Sequence, residues 1–181
     1  GEGNYLYAVD GRRYLDFTSG IAVNALGHCH PYLVKALTEQ GSKLWHTSNL
    51  FRVGNGEKLA KRLVENSFAD TMFFCNSGAE ANEAAIKLAR YYGHKKGVEN
   101  PAVVVLEKSF HGRTMATLTA SGNRKIQAGF EPLVKGFIRA PYNDIEAVKS
   151  FLNSVTVSLP LPTVTNIVFR FSKSTNKEIY S

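Results

Sequence analysis

The chain has 181 residues, of which 44% are hydrophobic and 20% charged, a composition typical of soluble globular proteins rather than disordered or fibrous ones. Its net charge of +7 comes from Lys and Arg scattered among Asp and Glu, whereas nucleic-acid binding needs clustered cations. No apolar run approaches the roughly 20 residues of a membrane-spanning helix, and two cysteines are too few for a disulfide framework. We therefore expect no nucleic-acid or membrane partner, and a cytoplasmic setting.

Two β-prone runs open the chain, at residues 5–9 and 13–17, on either side of Asp10 and Gly11. An Asp-Gly pair between such runs is a strong hairpin signal, because glycine readily adopts the positive φ of tight hairpin turns. Residues 31–44, which begin with Pro31, predict a helix. Residues 56–65 predict a second helix, because their apolar side chains recur at helical spacing.

Further along, strands and helices alternate. Short apolar runs predict strands at residues 71–75, 102–106 and 136–140. Helices are predicted at residues 79–92, 114–120 and 145–152, the last of them capped by Asn143 or Asp144. This alternation indicates an α/β fold with a parallel sheet. Residues 152–181 contain no Gly or Ala and many Ser, Thr and Asn, so they have no obvious place in it.

The segment 73–85 leads from a predicted strand through small residues into a helix. The backbone N–H groups of Ser77, Gly78 and Ala79 would lie at the helix N-terminus, where the macrodipole also favours a phosphate. Gly78 lets the backbone approach closely, and the Ser77 hydroxyl is a further donor. The local pattern leaves an alternative open, in which Asn76 or Ser77 caps the helix and nothing binds there.

The segment 109–114, Ser-Phe-His-Gly-Arg-Thr, follows the predicted strand at residues 102–106. It would therefore lie at the carboxyl end of that strand, where open α/β sheets bind ligands. Phe110 could stack on a planar ring, and Arg113 could bind a carboxylate through two parallel hydrogen bonds. Taken alone, the segment is equally consistent with a core Phe and a surface Arg.

Taken together with residues 6–31 (LYAVDGRRYLDFTSGIAVNALGHCHP), these two segments resemble the class III, fold-type-I aminotransferases, most closely the acetylornithine aminotransferase group. The resemblance runs from about residue 3 to residue 151. It implies an incomplete large domain of the pyridoxal-phosphate-dependent transferase fold, which is aspartate aminotransferase-like. The implied domains are an N-terminal hairpin and helix segment at 1–48, a partial cofactor-binding domain at 49–151, and an atypical tail at 152–181 outside the family fold.

The resemblance also implies a role for each site residue. Ser77, Gly78 and Ala79 would hold the phosphate of pyridoxal phosphate, Phe110 would cover its ring, and Arg113 would bind the substrate α-carboxylate. The whole protein would move an amino group from N-acetylornithine, or a related ω-amino acid such as ornithine, to 2-oxoglutarate in arginine biosynthesis. It would act as a homodimer in the cytoplasm, or in a mitochondrion or plastid if the source is eukaryotic.

No catalytic residue is assigned, because the family's Schiff-base lysine and its acidic partner lie beyond the second segment in contexts that this sequence does not show. Five lysines stand in the wrong contexts: Lys125, Lys135, Lys149, Lys173 and Lys177. The chain alone is therefore expected to be inactive. Two alternatives stay open, a non-catalytic homologue or partner protein, and a basic module for polyanions.

His28, Cys29 and His30 suggest a metal site at first, since alternate residues of an extended strand point the same way. Two ligands on one strand are not enough, and no third or fourth ligand follows at a recognisable spacing. We predict no metal site.

Overall fold

The computed structural model of the chain describes residues 1–152. The atypical tail predicted at 152–181 lies outside the described residues apart from Leu152, as do Lys173 and Lys177. The described chain divides between Glu57 and Lys58 into two compact units. Within residues 1–152, no helix is both long and apolar enough to cross a membrane.

The first unit begins with the predicted hairpin, which is confirmed. Strand β1 (Tyr5–Tyr7) pairs antiparallel with strand β2 (Arg13–Leu15). Gly11 has a φ of +84°, and the Asp10 carboxylate accepts hydrogen bonds from the Arg12 backbone N–H at 3.1 Å and from Arg12 Nε at 2.7 Å. Both strands are shorter than predicted: β1 ends where this polar turn begins, and β2 ends at Leu15, which pairs with Tyr5 at the start of β1.

Three helices begin in the first unit. Helix α1 (Ser19–Ala22) is an irregular turn that the sequence did not predict, with positive φ at Gly20 and Ile21. Helix α2 (Pro31–Gly41) starts at the proline as predicted but ends before residue 44, where the Ser42 N–H donates to the Thr38 carbonyl. Helix α3 (Gly54–Glu65) begins two residues before the predicted start.

His28 makes a hydrogen bond with a carboxylate. Its Nε2 lies 2.8 Å from Asp16 Oδ2, and Cys29 has a φ of +52°, so residues 28–30 are not an extended strand. Hydrogen bonds from the Thr18 side chain, then from His28 and the Ser19 backbone, lower the pKa of Asp16 to about 2. Among the residues that the structure describes, no three His, Cys, Asp or Glu side chains are grouped to hold a metal ion.

The second unit contains two of the three predicted strands, and they are parallel as the predicted α/β fold requires. Strand β3 (Val103–Leu106) runs parallel to strand β4 (Phe137–Ala140). Helix α4 (Gly78–Lys95) packs on β3 and buries the apolar core. That core consists of Ala85, Ile86, Ala89, Val103, Val105 and Ala120.

Short helices complete the second unit. They are α5 (Met115–Ala120), α6 (Arg124–Gln127) and α7 (Ile145–Leu152). Helix α6 was not predicted, since four residues are too few to show a periodic pattern. Of the two residues predicted to cap α7, Asp144 does so, because its Oδ1 accepts from the Ala147 N–H at 2.9 Å.

One predicted strand is wrong. Residues 71–75 form no strand, and Phe73 and Phe74 are 75% and 50% exposed. A strand exists only where a neighbour supplies hydrogen-bond partners, and within residues 1–152 none pairs with this segment. The apolar composition of residues 71–75 is compatible with a strand, but composition alone does not show whether a second strand lies beside it.

Candidate functional site

Helix α4 begins where the sequence predicted an anion site. Ser77 is the N-cap residue, with extended backbone angles, and its Oγ accepts a hydrogen bond from the Glu80 N–H at 3.2 Å. The Glu80 carboxylate turns back and accepts from the Asn76 N–H at 2.6 Å, much as in a capping box. The N–H groups of Gly78 and Ala79, in the first turn, have no acceptor within the helix.

The segment after β3 presents its aromatic ring and its arginine together. The Ser109 hydroxyl donates to the Leu106 carbonyl at 2.6 Å and so ends the strand. Phe110 is 56% exposed, so it is not the core residue that the sequence also allowed. The Arg113 guanidinium carbon lies 5.7 Å from the centre of the Phe110 ring, within the range of a cation–π contact.

These two segments pack directly against each other. Gly112 has a φ of +131°, and a Cβ built on it would lie 2.8 Å from the Ala79 Cβ and 2.6 Å from Thr117 Oγ1. Asn82 Nδ2 donates to the His111 carbonyl at 2.7 Å. The structure therefore joins the segment that holds Ser77, Gly78 and Ala79 to the segment that holds Phe110 and Arg113.

His111 belongs to the second segment of this site, although the sequence assigned it no role. It is 2% exposed, its backbone N–H donates to Ser121 Oγ at 2.9 Å, and neither ring nitrogen has a hydrogen-bond partner among residues 1–152. Burial, followed by the charge of Arg139, lowers the pKa of His111. The sequence carried no signal for this burial, since a histidine between Phe and Gly occurs equally well on a surface.

We expect His111→Leu to reduce the loss of stability on acidification. The pKa of His111 lies below its ordinary 6.5 in the fold, so the unfolded chain binds this proton more readily. The contribution of His111 to stability is therefore complete above pH 6.5 and is lost as the pH falls towards the folded pKa. Urea unfolding at about pH 7 and pH 5 measures the difference, and equal pH slopes in the variant and the wild type would contradict it.

An α/β unit with an anion site at a helix N-terminus, beside an exposed aromatic ring and an arginine, is suited to a phosphorylated planar cofactor and a carboxylate substrate. The comparison with known proteins agrees with that class. The chain matches the aminotransferase class-III family over residues 1–160, and it belongs to this family, whose members are pyridoxal-phosphate-dependent transaminases. The match includes residues 152–160, which the sequence had placed in the tail.

Two relatives show the degree of likeness. The chain is 64% identical over 148 residues to the acetylornithine aminotransferase of Nitrosomonas europaea, which covers 82% of this chain and 38% of that protein. It is 57% identical over 160 residues to acetylornithine aminotransferase 1 of Bradyrhizobium diazoefficiens, covering 88% and 40% respectively. The chain thus spans about two fifths of the length of these relatives.

Solved structures confirm the fold as a partial, N-terminal portion of the class III transaminase fold. The ornithine aminotransferase of Toxoplasma gondii superposes with a TM-score of 0.83 at 27% identity, covering 88% of this chain and 39% of that one. The N-acetylornithine aminotransferase of Stenotrophomonas maltophilia gives 0.69 at 36% identity, covering 86% and 38%.

The donor set of the site fits the phosphate end of the family's cofactor. Gly78 and Ala79 offer N–H groups at the positive end of a helix of 18 residues, which favours an anion. The Glu80 carboxylate would repel a phosphate, but it is engaged by the backbone and side-chain nitrogens of Asn76. The ring of Phe110 is 56% exposed and could cover a planar group.

Proposed function

We propose that the protein to which this sequence belongs transfers an amino group from N-acetylornithine, or a related ω-amino acid such as ornithine, to 2-oxoglutarate. The contact of Ala79 with Gly112 carries the proposal, because it joins the phosphate-binding end of α4 to the segment that presents Phe110 and Arg113. Relatives named for acetylornithine, 64% and 57% identical to this chain, support the choice of donor.

Each residue has a separate task in this proposal. Ser77, Gly78 and Ala79 bind the phosphate, and Phe110 covers one face of the ring. Pyridoxal phosphate itself supplies the electron-withdrawing ring on which the amino group is exchanged. Arg113 binds the donor α-carboxylate and so orients the amino group. None of the described lysines lies in the segments 73–85 or 109–114. The 181 residues alone are therefore expected to bind the cofactor without catalysing transamination.

A donor with an α-carboxylate is favoured over a simple diamine. A guanidinium matches a carboxylate through two parallel hydrogen bonds, and a diamine such as putrescine offers it nothing to bind. We further propose a role in arginine biosynthesis, as a homodimer in the cytoplasm. Sedimentation of the whole protein at a monomer mass would contradict the homodimer.

Substitutions of Ser77 separate helix capping from phosphate binding. We expect Ser77→Ala to lower the free energy of unfolding by about 1 kcal/mol, because the N-cap acceptor is lost. Ser77→Asp keeps a cap of equal quality but adds a negative charge, so stability should hold while pyridoxal phosphate affinity falls by about tenfold or more. Urea unfolding and spectroscopic titration with pyridoxal phosphate measure the two effects. If Ser77→Asp binds the cofactor as tightly as the wild type, Ser77 is a cap alone.

A further inference from the structure

Residues 110–114 are held against helix α4 by one close contact and two hydrogen bonds. Ala79 contacts Gly112, Asn82 bonds to the backbone of His111, and Glu83 bonds to Thr114. Asn82 and Glu83 are consecutive residues near the start of the helix, whose first turn carries the proposed phosphate site. One helix therefore supports both parts of the candidate site.

Asn82 holds the middle of the segment. Its side chain is buried, with 7% exposed, and its Nδ2 donates to the His111 carbonyl at 2.7 Å. The opposite side of the same residue is held as well, since the His111 N–H donates to Ser121 Oγ and Ser121 Oγ donates to the Thr117 carbonyl at 2.9 Å. A buried carbonyl without its donor would carry a desolvation cost, so the chain path at His111 is strongly determined.

Glu83 holds the end of the segment. The Thr114 hydroxyl donates to the Glu83 carboxylate, and a charged acceptor strengthens a hydrogen bond. Thr114 Oγ1 also lies 2.7 Å from Thr117 Oγ1, and Thr117 Oγ1 in turn donates to the Thr114 carbonyl at 3.2 Å. This group of hydroxyls fixes Thr114, the residue that immediately follows Arg113.

Phe110 and Arg113 are themselves exposed, and the ring contact they make is with each other. Their positions therefore depend on the backbone that carries them. A segment that is already ordered before binding avoids the entropy cost of ordering on binding.

We propose that Asn82 and Glu83 are positioning residues. They hold Phe110 and Arg113 in a fixed position relative to the phosphate site at the start of α4. This inference rests on the proposed function, in which Phe110 covers the cofactor ring. Neither residue needs to touch the cofactor, because both act through the backbone and the Thr114 hydroxyl. A variant that lacks one of these hydrogen bonds should keep the phosphate site but lose the contribution of Phe110 to cofactor affinity.

Thr114 offers a matched pair of variants on the full chain. Thr114→Val has nearly the same shape but no hydroxyl, whereas Thr114→Ser keeps the hydroxyl. Lys87→Gln, an exposed change on the same helix, is the control. The measurements are the dissociation constants of pyridoxal phosphate and of inorganic phosphate, the hydrogen exchange of the His111 amide, and the melting temperature.

Thr114→Val is expected to bind pyridoxal phosphate about tenfold more weakly and to speed exchange at His111 about tenfold, as the loss of one charge-assisted bond implies. Inorganic phosphate should bind within about twofold of the wild type, because the start of α4 is intact. Thr114→Ser and Lys87→Gln should match the wild type. If Thr114→Val does not fold, Glu83→Met removes the acceptor instead and should weaken pyridoxal phosphate binding in the same way. Glu83→Gln keeps an acceptor oxygen and should retain most of the wild-type affinity.

Two results would overturn the inference. One is unchanged pyridoxal phosphate affinity and unchanged His111 exchange in Thr114→Val. The other is an equal loss of affinity for pyridoxal phosphate and inorganic phosphate, which marks a general structural defect. Failure of the wild-type chain to bind pyridoxal phosphate would instead count against the proposed function, and His111 exchange would still decide whether Thr114 and Glu83 hold the segment.

Discussion

Gly112→Ala is expected to lower the free energy of unfolding by about 3 kcal/mol and to abolish measurable pyridoxal phosphate binding. Two costs add at this position. A residue with a Cβ at a φ of +131° carries backbone strain of about 1–2 kcal/mol. The new Cβ would also lie 2.8 Å from the Ala79 Cβ and 2.6 Å from Thr117 Oγ1, and overpacking of this kind costs about 1–3 kcal/mol.

Gly97→Ala provides the control. Gly97 also has a positive φ, +78°, but nothing lies within 4 Å of a Cβ built there, so only the strain of about 1 kcal/mol applies. Urea unfolding of both variants compares the two costs, and titration with pyridoxal phosphate tests the site. Equal destabilisation by the two substitutions would show that Ala79 and Gly112 are not in the close contact that carries the proposed function.

The elements that the sequence predicted well carry strong local signals. Asp10 and Gly11 mark the hairpin turn, Pro31 marks the start of α2, and Ser77 marks the start of α4. The parallel direction of β3 and β4 followed from the alternation of strands and helices. The hairpin and helix-start signals lie within a few residues of the structures they predict, and so need no knowledge of the rest of the chain.

The missed features depend on groups far away in the sequence. Residues 71–75 have the composition of a strand but no neighbouring strand within residues 1–152. The burial of His111 follows from the packing of its segment on α4, where Asn82 reaches it across 29 positions in the sequence. A single sequence contains the residues that make these contacts, but it does not show which of them meet in the fold.

The same distinction applies to the candidate site. The order of residues predicted that Ser77, Gly78 and Ala79 start a helix, and that Phe110 and Arg113 follow a strand. The backbone contact at Gly112 and the bonds from Asn82 and Glu83, which unite the two segments, became visible only in the structure. The assignment of roles to the five predicted residues stays a prediction, and substitutions of Ser77 and Arg113 test two of these roles directly.

Arg113→Ala, made in the whole protein, is expected to separate donors by whether they carry an α-carboxylate. Truncating one member of a hydrogen-bonded charge pair costs about 2–4 kcal/mol, so kcat/KM for N-acetylornithine should fall by roughly 30- to 1,000-fold. Putrescine has no carboxylate for Arg113 to bind, and its slow reaction should change by less than about threefold. Arg62→Ala, a substitution of an exposed residue on α3, is the matched control and should leave kcat/KM for both donors unchanged.

The ratio of the two donors is the informative quantity, because a general loss of folding or cofactor would lower both reactions together. Arg113 is exposed, and its guanidinium carbon lies 5.7 Å from the centre of the Phe110 ring. Its removal therefore leaves no buried group unpaired and should change stability by less than about 0.5 kcal/mol. A parallel fall for N-acetylornithine and putrescine would mean that Arg113 supports Phe110 rather than the substrate. No fall for either donor would place the carboxylate site elsewhere in the protein.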